Sequence, residues 1–390
     1  MKKKLRYVLG SLLIVYLLSI FIAPMLLEKE TNPVEYTQVV QVSPETKKLY
    51  DSLDFIADLH CDALLWDRDL TRRVDFAHFD FPRMQEARMA LQAFTIVTKS
   101  PKGQNFHQNS GDTFDMITLL NFLQGRGPGT WFSLYNRAEF QARRLVEYGD
   151  QYKEQFVLVT SQKSLKDLIA ARKRNPKIIG GFLGIEGAHC LEGKLENVQK
   201  LYDEGVRMMA PTHFFDNALG GSAHGISGEG LTPFGRAVIK EMDRLDMIID
   251  LAHVSPKMIN DILDISTKPT LVSHTGVKGT KDSPRNLSDA QIKRITDANG
   301  LIGIGFFKGA IAGEVKDIVA AIKYVRDLVG IEHVALGSDF EGAATTPIDV
   351  TGLPLIVQEM VDQGFTETEI RAVMGENLKQ FLLTHLPEEG

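Results

Sequence analysis

Residues 247–275 read MIIDLAHVSPKMINDILDISTKPTLVSHT. Two apolar runs, Met247–Ala252 and Thr270–Ser273, flank an amphipathic stretch, Ser255–Leu263. Short apolar runs of this kind are what strands buried on both faces look like. Ser255 and Pro256 stand where a helix takes its N-cap and its first residue. Each run leads into a histidine, His253 after the first and His274 within the end of the second. The stretch therefore reads as one strand–helix–strand unit with an imidazole at the end of both strands.

The same pattern runs through most of the chain. Six further apolar runs are Phe55–Leu59, Leu91–Val97, Ile178–Ile185, Val206–Pro211, Leu301–Phe306 and His333–Gly337. Helical patterns lie at 113–123, 137–148, 165–174, 195–204, 234–245, 288–298, 315–329 and 367–383. Eight buried strands with intervening helices predict an α/β fold of the (β/α)8, TIM-barrel type. A doubly wound open sheet fits less well. It usually shows a Gly-rich phosphate loop after its first strand, and this chain has Leu59-His60-Cys61-Asp62 there. The long excursion from Thr98 to Phe156 predicts helices that cap one end of the barrel.

Length and composition agree with a folded enzyme-sized domain. The chain has 390 residues, 44% of them hydrophobic and 24% charged, which excludes disorder. A net charge of −6 argues against a nucleic-acid partner. Two cysteines, Cys61 and Cys190, exclude a disulfide scaffold. The N-terminus is distinctive. Residues 1–6 are a basic flank, and residues 7–27 carry no charge. That run would span roughly 30 Å as a helix, about one bilayer core. It is longer than the apolar core of a cleaved signal, and no A-x-A-like cleavage site is evident. Residues 7–27 are therefore expected to be a single-pass transmembrane anchor in the cell membrane. The basic end would be cytoplasmic and everything after Leu27 extracytoplasmic. Residues 28–45, polar with two prolines, read as a linker, and 46–386 as the barrel domain.

Ionisable residues cluster where a barrel keeps its active site, at the C-terminal strand ends. The first strand runs into His60 and Asp62, the third into Glu186 and the fourth into His213. The fifth contains Asp250 and runs into His253, the sixth ends at His274 and the eighth runs into Asp339. His60 and Asp62, two apart in an extended chain, point to the same side. Cys61 points the other way and reads as a small buried residue. Five ligands, His60, Asp62, Glu186, His253 and His274, exceed what one catalytic zinc needs. They suit two metals sharing a bridging carboxylate and a bridging hydroxide, with Glu186 as the bridge. His60 and Asp62 then hold one ion, and His253 and His274 the other. Zinc is favoured, and Mn2+ or Co2+ would substitute. Asp250 reads either as a residue that orients a ligand or as a polar residue of the barrel core. His189 and His224 lie on loops near the site. His78, His107, His333 and His385 lack ligand partners and strand-end context.

These residues fall in a recognisable series. It comprises Asp58-Leu-His60-Cys-Asp62, Gly184-Ile-Glu186-Gly, Arg207-Met-Met-Ala-Pro-Thr-His213 and Gly230-Leu-Thr-Pro-Phe-Gly235. It continues with Ile249-Asp250-Leu-Ala-His253-Val-Ser255, Ser273-His274-Thr, Pro284-Arg285-Asn286 and Leu336-Gly-Ser-Asp339-Phe. Together, over nearly all of residues 50–383, the series resembles the membrane dipeptidase (renal dipeptidase) family of zinc peptidases. The resemblance implies a (β/α)8 fold and two Zn2+ per chain, bridged by Glu186. It also implies that His213 contacts the scissile region, that Arg285 holds the substrate carboxylate and that Asp339 is the acid/base. Asp246 and Glu341 depart from the family pattern, which has Gly and Asp there, and neither is a ligand position.

The expected activity is zinc-dependent hydrolysis of dipeptides with a free C-terminal carboxylate by metal-activated hydroxide. His213 would stabilise the oxyanion and Asp339 would move the proton. The guanidinium fork of Arg285 would receive the carboxylate. A homodimer is compatible with this reading. One alternative is an N-acyl-amino-acid deacylase or lactonase on the same barrel. Many of those bridge their metals with a carbamylated lysine, and the third strand ends in Glu186 with no lysine. A catalytically inert anchored binding protein would be expected to lack ligands, and all five are present.

Overall fold

All eight apolar runs become strands of one closed parallel barrel in the computed structural model, which describes residues 2–36 and 41–389. The strands are β1 (Ile56–Cys61), β2 (Met89–Val97), β3 (Phe156–Leu158), β4 (Ile179–Glu186) and β5 (Val206–Ala210). After them come β6 (Ile248–Asp250), β7 (Thr270–Thr275), β8 (Leu301–Ile304) and β9 (Val334–Leu336). β2 pairs directly with β4 from Leu91–Gly180 to Val97–Glu186. The short β3, which the sequence does not announce, pairs with β4 beside it and lies outside the ring. The ring closes where β9 meets β1, at Asp58 and Leu336.

Two apolar populations explain why the runs are continuous rather than alternating. One cluster takes inward residues from every barrel strand, among them Leu59, Leu91, Phe182, Met208, Ile248 and Leu271. Leu378, Phe381 and Leu382 of the last helix join it and close that end. The other cluster lies between strands and helices and holds Ile56, Cys61, Phe94 and Ile185 with Val238, Ile259 and Ile318. Cys61 is thus buried among apolar side chains as a free thiol. Both faces of each barrel strand are dry, which selects Val, Ile, Leu and Phe throughout.

Helix boundaries follow local chemistry. Ser255 caps Pro256–Ile265 by accepting from the Met258 N–H. Ser288 and Gln291 form a reciprocal capping box on Asp289–Asp297. The helical pattern over 367–383 is broken by a wide turn at Ala372–Glu376. A Cβ on Gly375 would stand 2.2 Å from the Phe55 carbonyl oxygen, so the chain passes too close to β1 for a regular helix to continue. The Thr98–Phe156 excursion forms three helices, Met116–Leu123, Pro128–Phe132 and Leu134–Gln151.

The N-terminal expectation needs correction. Among the described residues no helix is long and apolar enough to cross a membrane. A helix does run from Lys2 to Thr31, with Pro24 inside it, while most side chains before Ile22 lie outside the described residues. Its last turns are committed to the barrel domain instead. Glu28 is buried and pairs with Arg68 at 2.5 Å. The Asn32 side chain accepts from the Ala343 N–H at 2.9 Å. Val34 bridges to Thr346, and Glu35 pairs with Lys308 at 2.5 Å. The stretch read as a linker from residue 28 is therefore in contact with the domain up to Glu35. Residues 37–40 lie outside the described residues.

Glu28 shares the Arg68 guanidinium with a second buried carboxylate, Glu341, at 2.8 Å. Glu341 also accepts from the backbone N–H groups of His78 and Phe79. Glu28 has fewer donors, and burial pushes its carboxyl up to about 7, against the pull of Arg68. A carboxyl raised in the folded state adds stability below its unfolded value, and this is lost as pH rises through the folded one. Docking of residues 22–36 should therefore loosen as pH rises through about 7. Amide-exchange protection factors there should fall roughly tenfold or more between about pH 5 and pH 8. In Glu28→Gln they should stay level. A parent profile as flat as that of the variant would show that Glu28 stays ionised.

Candidate metal centre and active site

Parallel strands in a closed barrel all end on the same rim, so residues far apart in sequence meet there. β1 delivers His60 and Asp62, β4 delivers Glu186 and β7 delivers His274. His213, His253 and Asp339 follow three residues after the ends of β5, β6 and β9. All seven side chains are buried. His60 and Asp62 both face the rim although Ala57 and Leu59 pack inside the barrel. The β1–β2 register slips between Asp58 and Cys61, and that irregularity resets the alternation.

Glu186 is the centre of the cluster. Its Oε1 stands 3.0 Å from His253 Nε2, 3.3 Å from His274 Nε2 and 3.7 Å from His60 Nε2. Its Oε2 is 3.3 Å from His213 Nε2. His60 Nε2 is also 3.5 Å from Asp62 and 3.9 Å from Asp339. Three overlapping donor groups result, each within 4.8 Å: His60–Asp62–Glu186, Glu186–His213–His253 and His60–His274–Asp339. The structure therefore brings together all five expected ligands. It also places His213 and Asp339, expected beside the ligands, at the same reach.

The charges polarise one another. Burial works to raise Glu186, but the His213 and His60 imidazoles hold it well below the ordinary carboxylate range. Burial would lower His60, yet Glu186 and Asp62 drive it well above the usual imidazole value. Burial lowers His253 and His274. It raises Asp339, with Asp62 and Glu186 adding to the rise and His60 opposing it.

The backbone is held in costly shapes at this rim. His253 and Asp339 have φ of +61° and +63°, the left-handed region that costs a non-glycine residue about 1–3 kcal/mol. Gly187, after Glu186, has φ +91°, and a Cβ there would stand 2.4 Å from the His189 ring and 3.0 Å from His213 Cβ. Glycine lets these loops close over the carboxylate.

Two supporting residues, Thr95 and Ser273, had no assigned role in the sequence, and a third, Asp250, stood between orienting a ligand and filling the core. Thr95 Oγ1 donates to Asp62 Oδ1 at 2.5 Å. Ser273 Oγ lies 3.0 Å from both His60 Nδ1 and His274 Nδ1. Asp250 Oδ1 accepts from the Ser273 and Ala252 N–H groups at 2.8 and 2.9 Å, so it orients Ser273 from within the barrel core. The only sequence signal for Ser273 is its place before His274, and a hydroxyl inside a strand carries little weight alone. Arg285 is buried. Its Nη2 donates to the His274 carbonyl at 2.6 Å, and its Nε has no hydrogen-bond partner among the described residues. A cavity of about 430 Å3 joins the cluster and Arg285 to the outside. His189 and His224 are buried behind it and are not among its described lining residues. His78 serves structure, its Nδ1 accepting from the Glu341 N–H at 3.0 Å.

The donor set fits divalent metal ions. Imidazole and carboxylate ligands converge, and His60 Nε2 is buried with no hydrogen-bond partner among the described residues. With both Nδ1 atoms protonated and donating to Ser273 Oγ, His60 and His274 each present a bare Nε2 to the cluster. Ser273→Ala should therefore weaken metal retention by about 10–100-fold, read by titration against a competing chelator. Unchanged affinity would mean that other contacts orient the two rings.

Known proteins resemble this chain in family and in fold. The model of the membrane dipeptidase family, peptidase family M19, matches residues 46–383. An uncharacterized dipeptidase of Schizosaccharomyces pombe is 32% identical over 213 residues, 51% of this chain. The match spans only 52% of that relative, about half its length. The dipeptidase AclJ of Aspergillus oryzae is 26% identical over 353 residues, 84% of this chain and 77% of that one. Among solved structures, a metallopeptidase from Rhodobacter sphaeroides liganded with a phosphinate mimic of the dipeptide L-Ala-D-Ala shares the fold. Its TM-score is 0.67 at 23% identity, over 85% of this chain and 99% of that one. With a family match over nearly the whole barrel domain, the chain belongs to the membrane dipeptidase family, the M19 metallopeptidases.

Proposed function

We propose that the protein is a zinc-dependent dipeptidase with two metal ions at the strand-end cluster. The observation that carries this reading is Glu186, whose two oxygens face His60, His253 and His274 on one side and His213 on the other. His60 and Asp62 would hold one ion, His253 and His274 the other, and Glu186 both. Zinc bound there supplies a Lewis acid for the peptide carbonyl and makes water acidic enough to give hydroxide near pH 7. Mn2+ or Co2+ would serve in its place. The relative from Rhodobacter sphaeroides, whose ligand mimics a dipeptide, supports a dipeptide as substrate.

The chain's own residues do the rest. Arg285 lines the cavity, its Nε–H has no partner among the described residues, and its guanidinium suits a free carboxylate. The Phe307 ring, which also lines the cavity, has its centroid 5.6 Å from the Arg285 guanidinium carbon. His213 reaches the space beside Glu186 and would donate to the oxygen that becomes negative, a role worth a few kcal/mol. Asp339, 3.9 Å from His60 Nε2 and driven up by burial, would carry the proton from water to the leaving amine. Metal ions bound nearby would pull Asp339 back down toward ionisation. The basic flank and uncharged run at the N-terminus support an extracytoplasmic domain, whether that segment is kept or removed.

The reading is tested on full-length protein with L,L, L,D and D,D dipeptides, N-acyl amino acids, tripeptides and a β-lactam, with and without chelator. Chelator-sensitive cleavage of dipeptides is expected, with about two metal ions per chain by elemental analysis. Cleavage of N-acyl amino acids alone would move the assignment to a deacylase, and binding without turnover to a receptor. Stoichiometry that never exceeds one would remove the bridging role of Glu186.

Asp339 and Arg285 should fail differently. Asp339→Asn should lower kcat and kcat/KM together, by at least about 100-fold. Arg285→Met should raise KM more than it lowers kcat, because the substrate carboxylate is charged in ground and transition states alike. It should also erase most of the preference for a C-terminal acid over its amide. If Asp339→Asn strips a metal, Asp339 is a ligand and the proton carrier must be sought at His213.

A further inference from the structure

The cavity is two-sided. One side holds the cluster and Arg285. The other is apolar and is built from three separate pieces of chain. Trp66 follows β1 and Val97 ends β2, and both belong to a small apolar cluster separate from the main core. Met116, Leu119 and Leu123, spaced i, i+3, i+7 on one helix face, add a second piece. Leu27, one turn before Thr31 on the N-terminal helix, adds the third.

Topology sets this wall opposite the carboxylate clamp. β2 and β7 are four strands apart in either direction around the eight-stranded ring. Arg285 bonds to the end of β7, whereas the wall rises from β1 and β2. A dipeptide with its carboxylate on Arg285 and its peptide bond over Glu186 therefore extends its N-terminal residue toward the wall. The acidic side chains among the described lining residues, Asp62, Glu186 and Asp339, all belong to the metal cluster. Leu27, Trp66, Val97, Met116, Leu119 and Leu123 carry no charge, and the lysine among the described lining residues, Lys308, is paired with Glu35 at 2.5 Å. At about 430 Å3 the cavity is also in the range of sites that enclose drug-sized ligands.

The geometry points to a subsite for a bulky apolar N-terminal residue, so that the substrates are dipeptides carrying a large hydrophobic group on the amine side of the scissile bond. This rests on the dipeptidase reading above. The N-terminal helix and the 98–156 excursion are then specificity elements. Burying each further methylene against such a wall raises binding severalfold.

The test uses full-length protein and a series Xaa-Gly, with Xaa being Ala, Leu, Phe or 2-aminooctanoic acid. kcat/KM should rise at least about tenfold from Ala to 2-aminooctanoic acid. Leu119 is 40% exposed, so Leu119→Gln should fold, and Leu119→Ala provides a second variant. Both should lower kcat/KM for the longest substrate at least about fivefold and leave Ala-Gly within about twofold. A flat or falling series in the parent would overturn the subsite. So would variants that slow all substrates equally. If no dipeptide is cleaved, including Ala-Gly, the dipeptidase reading itself fails and the subsite with it, whereas cleavage with a flat series sinks the subsite alone.

Discussion

Glu186 is a carboxylate in a dry place, and the site is arranged around its charge. An isolated buried carboxylate is held at a cost of several kcal/mol unless cations or donors surround it. Four imidazoles do so, with Nε2 atoms 3.0 to 3.7 Å from its two oxygens. They come from four different strand ends, so the carboxylate is satisfied only when the ring is closed and in register. The site is therefore no local motif but a property of the complete barrel. The same low polarity that makes the carboxylate expensive makes each of its partners strongly felt, which is why the imidazoles diverge. His60 is driven up by its carboxylate neighbours, and His253 and His274 are driven down by burial.

A barrel can carry such a cluster because its interior is divided along the axis. Apolar residues from every strand fill one end, and the last helix seals it. Polar residues fill the other. The β1 irregularity between Asp58 and Cys61 turns both His60 and Asp62 toward the rim. Asp58 helps stabilise that turn by accepting from the Ser338 N–H and hydroxyl at 2.7 and 2.8 Å, which ties β1 to the loop bearing Asp339. Asp250 does the same between β6 and β7 through Ser273. These buried aspartates bind backbone and side-chain donors of neighbouring strands, and through them they determine where the rim residues sit.

Parts outside the ring shape what reaches the cluster. The helix at 116–123 and the end of the N-terminal helix make the apolar side of the cavity, and Arg68 fastens the latter through two carboxylates. Glu341, one of the two departures from the family pattern, is a partner in that junction. Its longer side chain reaches Arg68 and the backbone N–H groups of His78 and Phe79. The N-terminal helix is thus bound into the domain over its last turn through Glu28 and, just beyond it, through Asn32, whereas Ile22, Met25 and Leu26 before them stay exposed.

Which features were legible in the sequence follows from how local their causes are. Strand identity is local: a residue run that must be dry on both faces has to be apolar, and all eight barrel strands are visible for that reason. Helix starts are local too, as at Ser255 and Ser288, where one side chain caps one turn. The rim histidines and carboxylates stand out because charge at the end of an apolar run has no structural excuse. What depends on distant partners was not legible. β3 is too short to show a pattern and exists because β4 has a free flank beside it. The break at Gly375 comes from the Phe55 carbonyl, more than 300 residues away in sequence. Ser273 is an ordinary serine until closure brings His60 within 3.0 Å of it. The fate of the N-terminal helix turned on Arg68 and Ala343, because only the folded domain supplies partners for Glu28 and Asn32. Hydrophobic pattern and capping, set by neighbours in sequence, determined the barrel and the charged residues at its strand ends. Their pairing, and the walls around them, were decided by contacts that form only once the ring has closed.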